Sequence, residues 1–227
     1  MRAIAIDGPA GAGKSTIARR VAEKLGARYI DTGALYRAIA YKALRRGVST
    51  DDEGALERLL AETAIEVNGS GGVTQVLLDG QDVTASIRHP EVGAVVSEVA
   101  RHPRVRAAVV SRLRAMAEGQ EVVMDGRDIG TVVFPDASLK IFLTAALEER
   151  ARRRYEELKA EGYAVTLDAV REELEARDRT DMTRETAPLA KAPDAVELDT
   201  TEMSIEETVD RIVALARADR SVANLPG

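Results

Sequence analysis

Short aliphatic runs alternate along the chain with longer segments in which apolar residues recur at helical spacing. Residues 3–7, 28–30, 121–124, 139–143 and 196–198 read as strands. That alternation predicts an α/β protein with a mainly parallel sheet flanked by helices. One helix is expected over 16–25. Another starts at Ser204, where Ser204 and Glu207 form a capping-box pattern and Ile205, Val209, Ile212 and Val213 fall on one face. Thr50 and Glu53 repeat the box before a helix expected to reach about residue 64. The texture then changes. Residues 65–68, the loop GSGG, residues 73–78 and a turn at Asp79-Gly80 predict a small antiparallel set inserted into the parallel core. No internal repeat or low-complexity tract is present, and only the residues after Arg220 look frayed.

At 227 residues and 45% apolar content, the chain is long enough to bury roughly 70% of its unfolded surface. It has no Cys, which excludes disulfides, thiolate metal sites and thiol nucleophiles and fits a reducing compartment. No signal-peptide pattern and no membrane-spanning apolar stretch is found, so a cytoplasmic protein without membrane attachment is expected. A formal net charge of −6 argues against a general nucleic-acid surface. The cations are lopsided: 26 of the 32 are Arg and 6 are Lys. Arg suits bidentate phosphate binding, but codon bias gives the same excess, so placement has to decide.

The segment Gly8-Pro9-Ala10-Gly11-Ala12-Gly13-Lys14-Ser15 matches G-x-x-x-x-G-K-[ST] and lies between the first strand and the helical run that starts at Thr16. That context is what a P-loop requires. Its backbone N–H groups and the helix N-terminus bind phosphate, Lys14 reaches the β- and γ-phosphates, and Ser15 can hold Mg²⁺. Asp125 ends the 121–124 strand. In a parallel sheet the ligand crevice opens at the carboxyl ends, so this Asp can support Mg²⁺ in the Walker-B manner; an ordinary turn Asp is the alternative.

The stretch YIDTGALYRA puts Thr32, Tyr36 and Arg37 at a loop-to-helix junction on the crevice side, suited to a second phosphate, a sugar or a base. On spacing alone Tyr36 reads as core and Arg37 as solvated. Arg150, Arg153 and Arg154 follow the 139–143 strand at i, i+3, i+4 and so share a helix face. Residues 175–184 mix Arg and Asp again. Each segment alone reads as a solvated charged face. Together with Arg127 they hold more guanidinium than a neutral ligand needs, and a transferred phosphoryl group would use it. His89 and His102 both lie near Pro in the insertion, away from the motifs, so a His base is not expected. A phosphate acceptor needs no dedicated base, because its second pKa lies near ~6; an Asp base, Asp31 or Asp128, is the alternative.

GPAGAGKST, YIDTGALYRA, the insertion, DGRDIGTVVFPDA and RDRTDMTRETAPL, in this order, resemble the bacterial cytidylate kinases, which make CDP from CMP and ATP. The resemblance runs from about Ile4 into the last helix. It implies a P-loop NTPase core (1–31, 105–147 and 165–227), an inserted monophosphate-binding domain with a small antiparallel sheet (32–104) and a short helical lid (148–164). It implies that ATP lies on residues 8–16 and under the lid residues Arg150, Arg153 and Arg154. Thr32, Tyr36 and Arg37 would line the monophosphate site. Ser97, Arg106 and Asp128 would face cytosine, Arg127 and Arg177 the acceptor phosphate, and Asp181 and Arg184 the ribose. Lys14, Arg127, Arg177, Arg150 and Arg154 would be catalytic, with Mg²⁺ on Ser15 and Asp125. Many relatives have Ser where this chain has Thr32, which keeps the hydroxyl. The expected ligands are ATP and CMP or dCMP, without nucleic acid, and the expected state is a monomer.

Base chemistry supports the assignment: cytosine offers an N4 amino donor, which a carboxylate accepts, whereas uracil offers O4 there. The rivals are a hydroxyl-phosphorylating kinase similar to shikimate kinase, a nucleotide-switch GTPase and a non-catalytic nucleotide-binding module. In the first, Asp31 would be the base, but Gly33 stands where that site usually carries a second acid. The second would need an NKxD-type stretch, and neither Asn68 nor Asn224 begins one. The third leaves the Arg arrays without a role.

Overall fold

In the computed structural model, which describes residues 2–70 and 73–223, eight strands and eight α-helices form one parallel sheet and one small antiparallel sheet. The chain runs β1 (Ala3–Asp7), α1 (Lys14–Leu25), β2 (Arg28–Asp31), α2 (Thr32–Arg46) and α3 (Glu53–Ala61). The antiparallel strands follow as β3 (Ile65–Ser70), β4 (Val73–Leu78) and β5 (Gln81–Asp82). Then come α4 (Pro90–Arg101), α5 (Pro103–Ala117), β6 (Val122–Gly126), β7 (Leu139–Thr144), α6 (Leu147–Ala160), α7 (Leu167–Thr183), β8 (Val196–Asp199) and α8 (Ile205–Ala223). A π-helical turn at Ile129–Val133 follows β6.

The large sheet has the order β2-β6-β1-β7-β8, with every pair parallel. β1 therefore sits between β6 and β7. The P-loop leaves its carboxyl end beside that of β6, where a crevice is expected. The register pairs Ile6 with Asp125 and Asp7 with Gly126, which brings the start of the P-loop level with the stretch that follows Asp125.

Side chains alternate across the sheet. Ala3, Ala5, Ile30, Val122 and Met124 pack under α2, α4 and α5 with Leu35, Ile39, Val96, Val105 and Val109. Ile4, Ile6, Val123, Ile141 and Leu143 pack on the other face with Ile17, Val21, Val209 and Ile212 of α1 and α8.

The predicted elements are present, with informative differences. β6 continues through Asp125 and Gly126, and β2, β7 and β8 each add one residue, because pairing with a neighbour extends them beyond their apolar runs. Helix α1 begins at Lys14. The cap of α3 is Asp52, which accepts from Ala55 N at 2.9 Å, and not Thr50, whose hydroxyl bonds Glu98 of α4. That helix ends at Ala61. The Ser204–Glu207 box forms as expected, but Ile205 is 41% exposed while Val209, Ile212 and Val213 are buried. Helix α8 runs past Arg220 to Ala223; the fraying expected further on falls on residues 224–227, outside the described residues. No helix among the described residues is long and apolar enough to cross a membrane.

Candidate active site

A cleft of about 670 Å³ opens at the carboxyl ends of β1, β2 and β6, between α2 and α4 on one side and α6 and α7 on the other. The P-loop forms its floor. Gly8 has φ +150°, and a Cβ there would lie 2.0 Å from Leu143 O, so the chain leaves β1 through a gap that admits only glycine. Lys14 is buried and donates from Nζ to Pro9 O at 2.5 Å. Burial, and next the Arg127 guanidinium, hold its ammonium well below the usual lysine range. An anion in the loop would relieve both effects.

Ser15 Oγ donates to Asp125 Oδ2 at 2.8 Å, and Tyr29 Oη donates to Asp125 Oδ1 at 2.7 Å. Burial and the nearby Asp31 carboxylate raise the Asp125 carboxyl above its ordinary range. This donor set fits Mg²⁺, which prefers hard oxygens, keeps several waters and takes one or two protein groups beside nucleotide phosphates. A divalent cation would also restore the charged form that burial disfavours.

Across the cleft, Asp31 caps α2 through Ala34 N at 3.0 Å and pairs its other oxygen with Arg37 Nη2 at 2.7 Å. Arg88 lies 3.7 Å from the same oxygen. Each oxygen carries one hydrogen bond or ion pair, so the geometry makes Asp31 an anchor for Arg37. Thr32 Oγ1 donates to Asp125 O at 2.6 Å, directly over Gly126. A Cβ on Gly126 would meet Thr32 Oγ1 at 2.8 Å and Ile129 Cδ1 at 2.7 Å. The Thr32 and Ile129 side chains fill the space beside Gly126, and a larger residue there would have to displace them.

Asp128 and Arg106 form a buried ion pair, and the Arg106 guanidinium stands 5.4 Å over the Tyr36 ring. Arg127 Nε donates to Asp181 Oδ2 at 2.8 Å, and Ser97 Oγ donates to Asp181 Oδ1 at 3.2 Å. Burial tends to raise the Asp181 carboxyl, but Arg127 and Arg177 hold it below the ordinary value. Arg184 donates to Ala187 O at 2.7 Å and stands 3.7 Å from Asp181. Several enclosed nitrogens have no hydrogen-bond partner: Nε of Arg37, Arg106 and Arg177, and Nη2 of Arg184. Burial, reinforced by Arg127, lowers the Arg177 pKa to about 10. Unpartnered guanidinium nitrogens around a cleft suit anionic ligands.

The expected site residues thus gather around one cleft. Ala10, Gly11 and Gly13–Thr16 line it on the donor side, and Thr32, Tyr36, Arg37, Ser97, Arg106, Asp125, Arg127, Asp128, Arg177, Asp181 and Arg184 line the remainder. Arg153 and Arg154 stand at its upper edge, paired with Glu149 and Glu157. Arg150 is placed differently from the sequence expectation. It does not share the cleft-facing side of α6 with Arg153 and Arg154. It is buried, donating to Ala145 O at 2.9 Å, to Ala10 O at 2.8 Å and to Asp178 Oδ2 at 2.6 Å. Three fixed acceptors hold its guanidinium behind the P-loop.

Sequence reasoning passed over three supporting groups. Asp7, at the end of β1, accepts Ile129 N and Gly130 N at 2.8 Å each and so fixes the turn that follows Asp128. Tyr29 fixes Asp125, and Asp178 holds the P-loop through Ala10 N at 3.0 Å. A carboxylate directly before a P-loop glycine was the available signal for Asp7. Tyr29 had none.

Comparison with known proteins follows the same lines. The sequence profile of the cytidylate kinase family matches residues 4–218. The chain is 58% identical over 212 residues to the cytidylate kinase of Geobacillus kaustophilus, covering 93% of this chain and 95% of that one. Identity to the cytidylate kinase of Pelotomaculum thermopropionicum is 55% over 218 residues, 96% of either chain. The counterpart from Listeria innocua is 53% identical over 213 residues, 94% of this chain and 95% of its own. Among solved structures, a gluconokinase from Sinorhizobium meliloti superposes with a TM-score of 0.50 at 16% identity, over 98% of this chain and 95% of that one, a likeness of fold.

Proposed function

Because the chain belongs to the cytidylate kinase family, we propose that it transfers the γ-phosphoryl group of ATP to CMP, and also to dCMP, in the cytoplasm, giving ADP and CDP or dCDP. The observation that carries the reading is the set of unpartnered guanidinium nitrogens on Arg37 and Arg177, standing in one cleft with Lys14 and the Arg106–Asp128 pair. Arg37 on α2 and Arg177 on α7 come from opposite walls of the cleft, so each can meet a phosphate group.

In this reading ATP lies on residues 8–16, with Lys14 on its β- and γ-phosphates. Ser15 and Asp125 would hold Mg²⁺, which when bound neutralises phosphate charge. Arg37, Arg127 and Arg177 bind the acceptor phosphate, already an oxyanion at neutral pH, and stabilise the spread charge of the phosphoryl group in flight. The use of Asp31 as an anchor for Arg37 supports a mechanism without a protein base. Asp128, Arg106 and Ser97 would read cytosine. Asp181 and Arg184 would hold the sugar; Asp181 already accepts from Arg127 and Ser97, so a ribose 2′-hydroxyl is an additional donor and not an indispensable one. That supports acceptance of dCMP.

Residues 1–31, 105–147 and 165–227 would form the core, 32–104 the monophosphate-binding insertion and 148–164 a lid bringing Arg153 and Arg154 over ATP and excluding water. A panel of nucleoside monophosphates, each with ATP and Mg²⁺, tests the proposal by its diphosphate products. CMP and dCMP should be phosphorylated far faster than AMP, GMP or shikimate, and no CDP would refute it.

A further inference from the structure

Helix α7 is tied to both halves of the cleft within one turn. On the donor side, Asp178 Oδ1 accepts the Ala10 N–H at 3.0 Å, and its Oδ2 accepts Arg150 Nη1 at 2.6 Å. The same Nη1 donates to Ala10 O at 2.8 Å. The peptide groups on either side of Ala10 are therefore held by one ion pair contributed by α6 and α7. On the acceptor side, Asp181 is held by Arg127 at 2.8 Å and Ser97 at 3.2 Å. Arg177 lies next to the first tie and one turn from the second. Its Nε is enclosed and without a partner, and its side chain lines the cleft.

A helical turn is stiff, with a rise of about 1.5 Å per residue, so two ties this close fix where Arg177 stands relative to the P-loop. We propose that Asp178 is a positioning residue for phosphoryl transfer, pinning α7 to the donor loop so that Arg177 is held where the phosphoryl group crosses; this rests on the kinase reading above. Asp178 touches neither nucleotide in that arrangement. It acts through Arg177, and through Arg150 on the shape of the loop. The apolar contacts of Ala10 with Ala151, Leu158, Val170 and Leu174 hold the same elements together without setting their register. Loss of the carboxylate should therefore loosen the geometry, and because it leaves the buried Arg150 with carbonyl acceptors alone it should also lower Tm.

Asp178→Ala should lower kcat with CMP and ATP by at least about tenfold, in line with the cost of small misplacements of catalytic groups, while both KM values stay within about threefold. Asp178→Asn, whose carbonyl oxygen still accepts the Ala10 N–H, should lose less and serves also if the Ala variant does not fold. The decisive measurement is a double-mutant cycle on kcat with Arg177→Ala. If Asp178 acts through Arg177, Asp178→Ala costs clearly less in the Arg177→Ala background than in wild type, the remainder being its effect through Arg150 on the loop. Fully additive losses overturn the proposal, as does a variant of lowered Tm whose kcat per folded molecule matches wild type. Wild-type protein that makes no CDP refutes the kinase reading itself; wild-type turnover with an unimpaired Asp178→Ala variant refutes this inference alone.

Discussion

Ser15 Oγ donates a 2.8 Å hydrogen bond to Asp125 Oδ2, so a hydroxyl in the first turn of the P-loop helix and the carboxylate near the end of β6 meet directly. Asp125→Asn preserves the shape and the Tyr29 contact but removes the charge. The Mg²⁺ concentration for half-maximal activity is expected to rise about tenfold or more, the usual scale for losing a metal-supporting group. Steady-state rates over graded Mg²⁺ check this. An unchanged Mg²⁺ requirement would remove Asp125 from the metal shell.

Asp128 gives one oxygen to Arg106, while its other stands 3.9 Å from Arg184, beyond hydrogen-bond length. In the proposed reading, that second oxygen would be the one left for an amino group on the base. Asp128→Asn should narrow the preference for CMP over UMP in kcat/KM by about tenfold, within the 1–3 kcal/mol typical of base discrimination. Comparing two substrates on one preparation cancels any loss of folded protein. The role fails if the ratio is the same in the variant.

Arg127 stands between the acceptor side and Lys14, and nothing in the apolar core depends on it. Arg127→Ala should lower kcat by about 10²–10³, the scale for losing one oriented transition-state donor. Far-UV circular dichroism should be unchanged. Near-normal turnover in a well-folded variant would show that the guanidinium does not touch the reacting phosphoryl group.

Burial raises the Asp7 carboxyl from 3.8 to about 6, against the two N–H groups that stabilise its charge. Between these values the native state holds more protons than the unfolded chain. The contribution of Asp7 to stability therefore grows as pH falls from about 6 toward 3.8 and is lost as pH rises through about 6. Asp7→Asn abolishes the titration and keeps one acceptor. Its stability relative to wild type should worsen on acidification from pH 6 to pH 4, by at most about 1.4 kcal/mol per pH unit. Urea unfolding of both proteins at several pH values measures it, and a pH-independent difference would show that Asp7 does not titrate in that window.

The donor loop was legible in the sequence because its chemistry is local: eight consecutive residues between a strand and a helix define it. The sheet was legible through its buried runs, although their pairing extends several of them by a residue. What failed were local rules with a distant competitor. Helical spacing put Arg150 with Arg153 and Arg154, but Asp178 and Ala10 claim its guanidinium from other elements. Thr50 fits a capping box, yet Asp52 caps the helix while the Thr50 hydroxyl turns to Glu98. Ile205 follows the apolar face of α8 by position, but it opens the helix at the rim of the cleft, where no core lies above it. Asp7 meets Ile129 and Gly130 across more than a hundred residues, and no spacing rule spans that distance.

The parallel sheet divides the interior into two layers that share strands but contribute separate side chains. Substitutions at sites that do not touch have nearly additive effects, so inheritance can act on each layer independently. Repacking beneath α1 and α8 that conserves volume should therefore need no compensating change beneath α2, α4 and α5. Covariation among relatives should accordingly fall into two groups. Alternate positions of one strand, such as Ile4 and Ala5, would belong to different groups despite being neighbours in the chain.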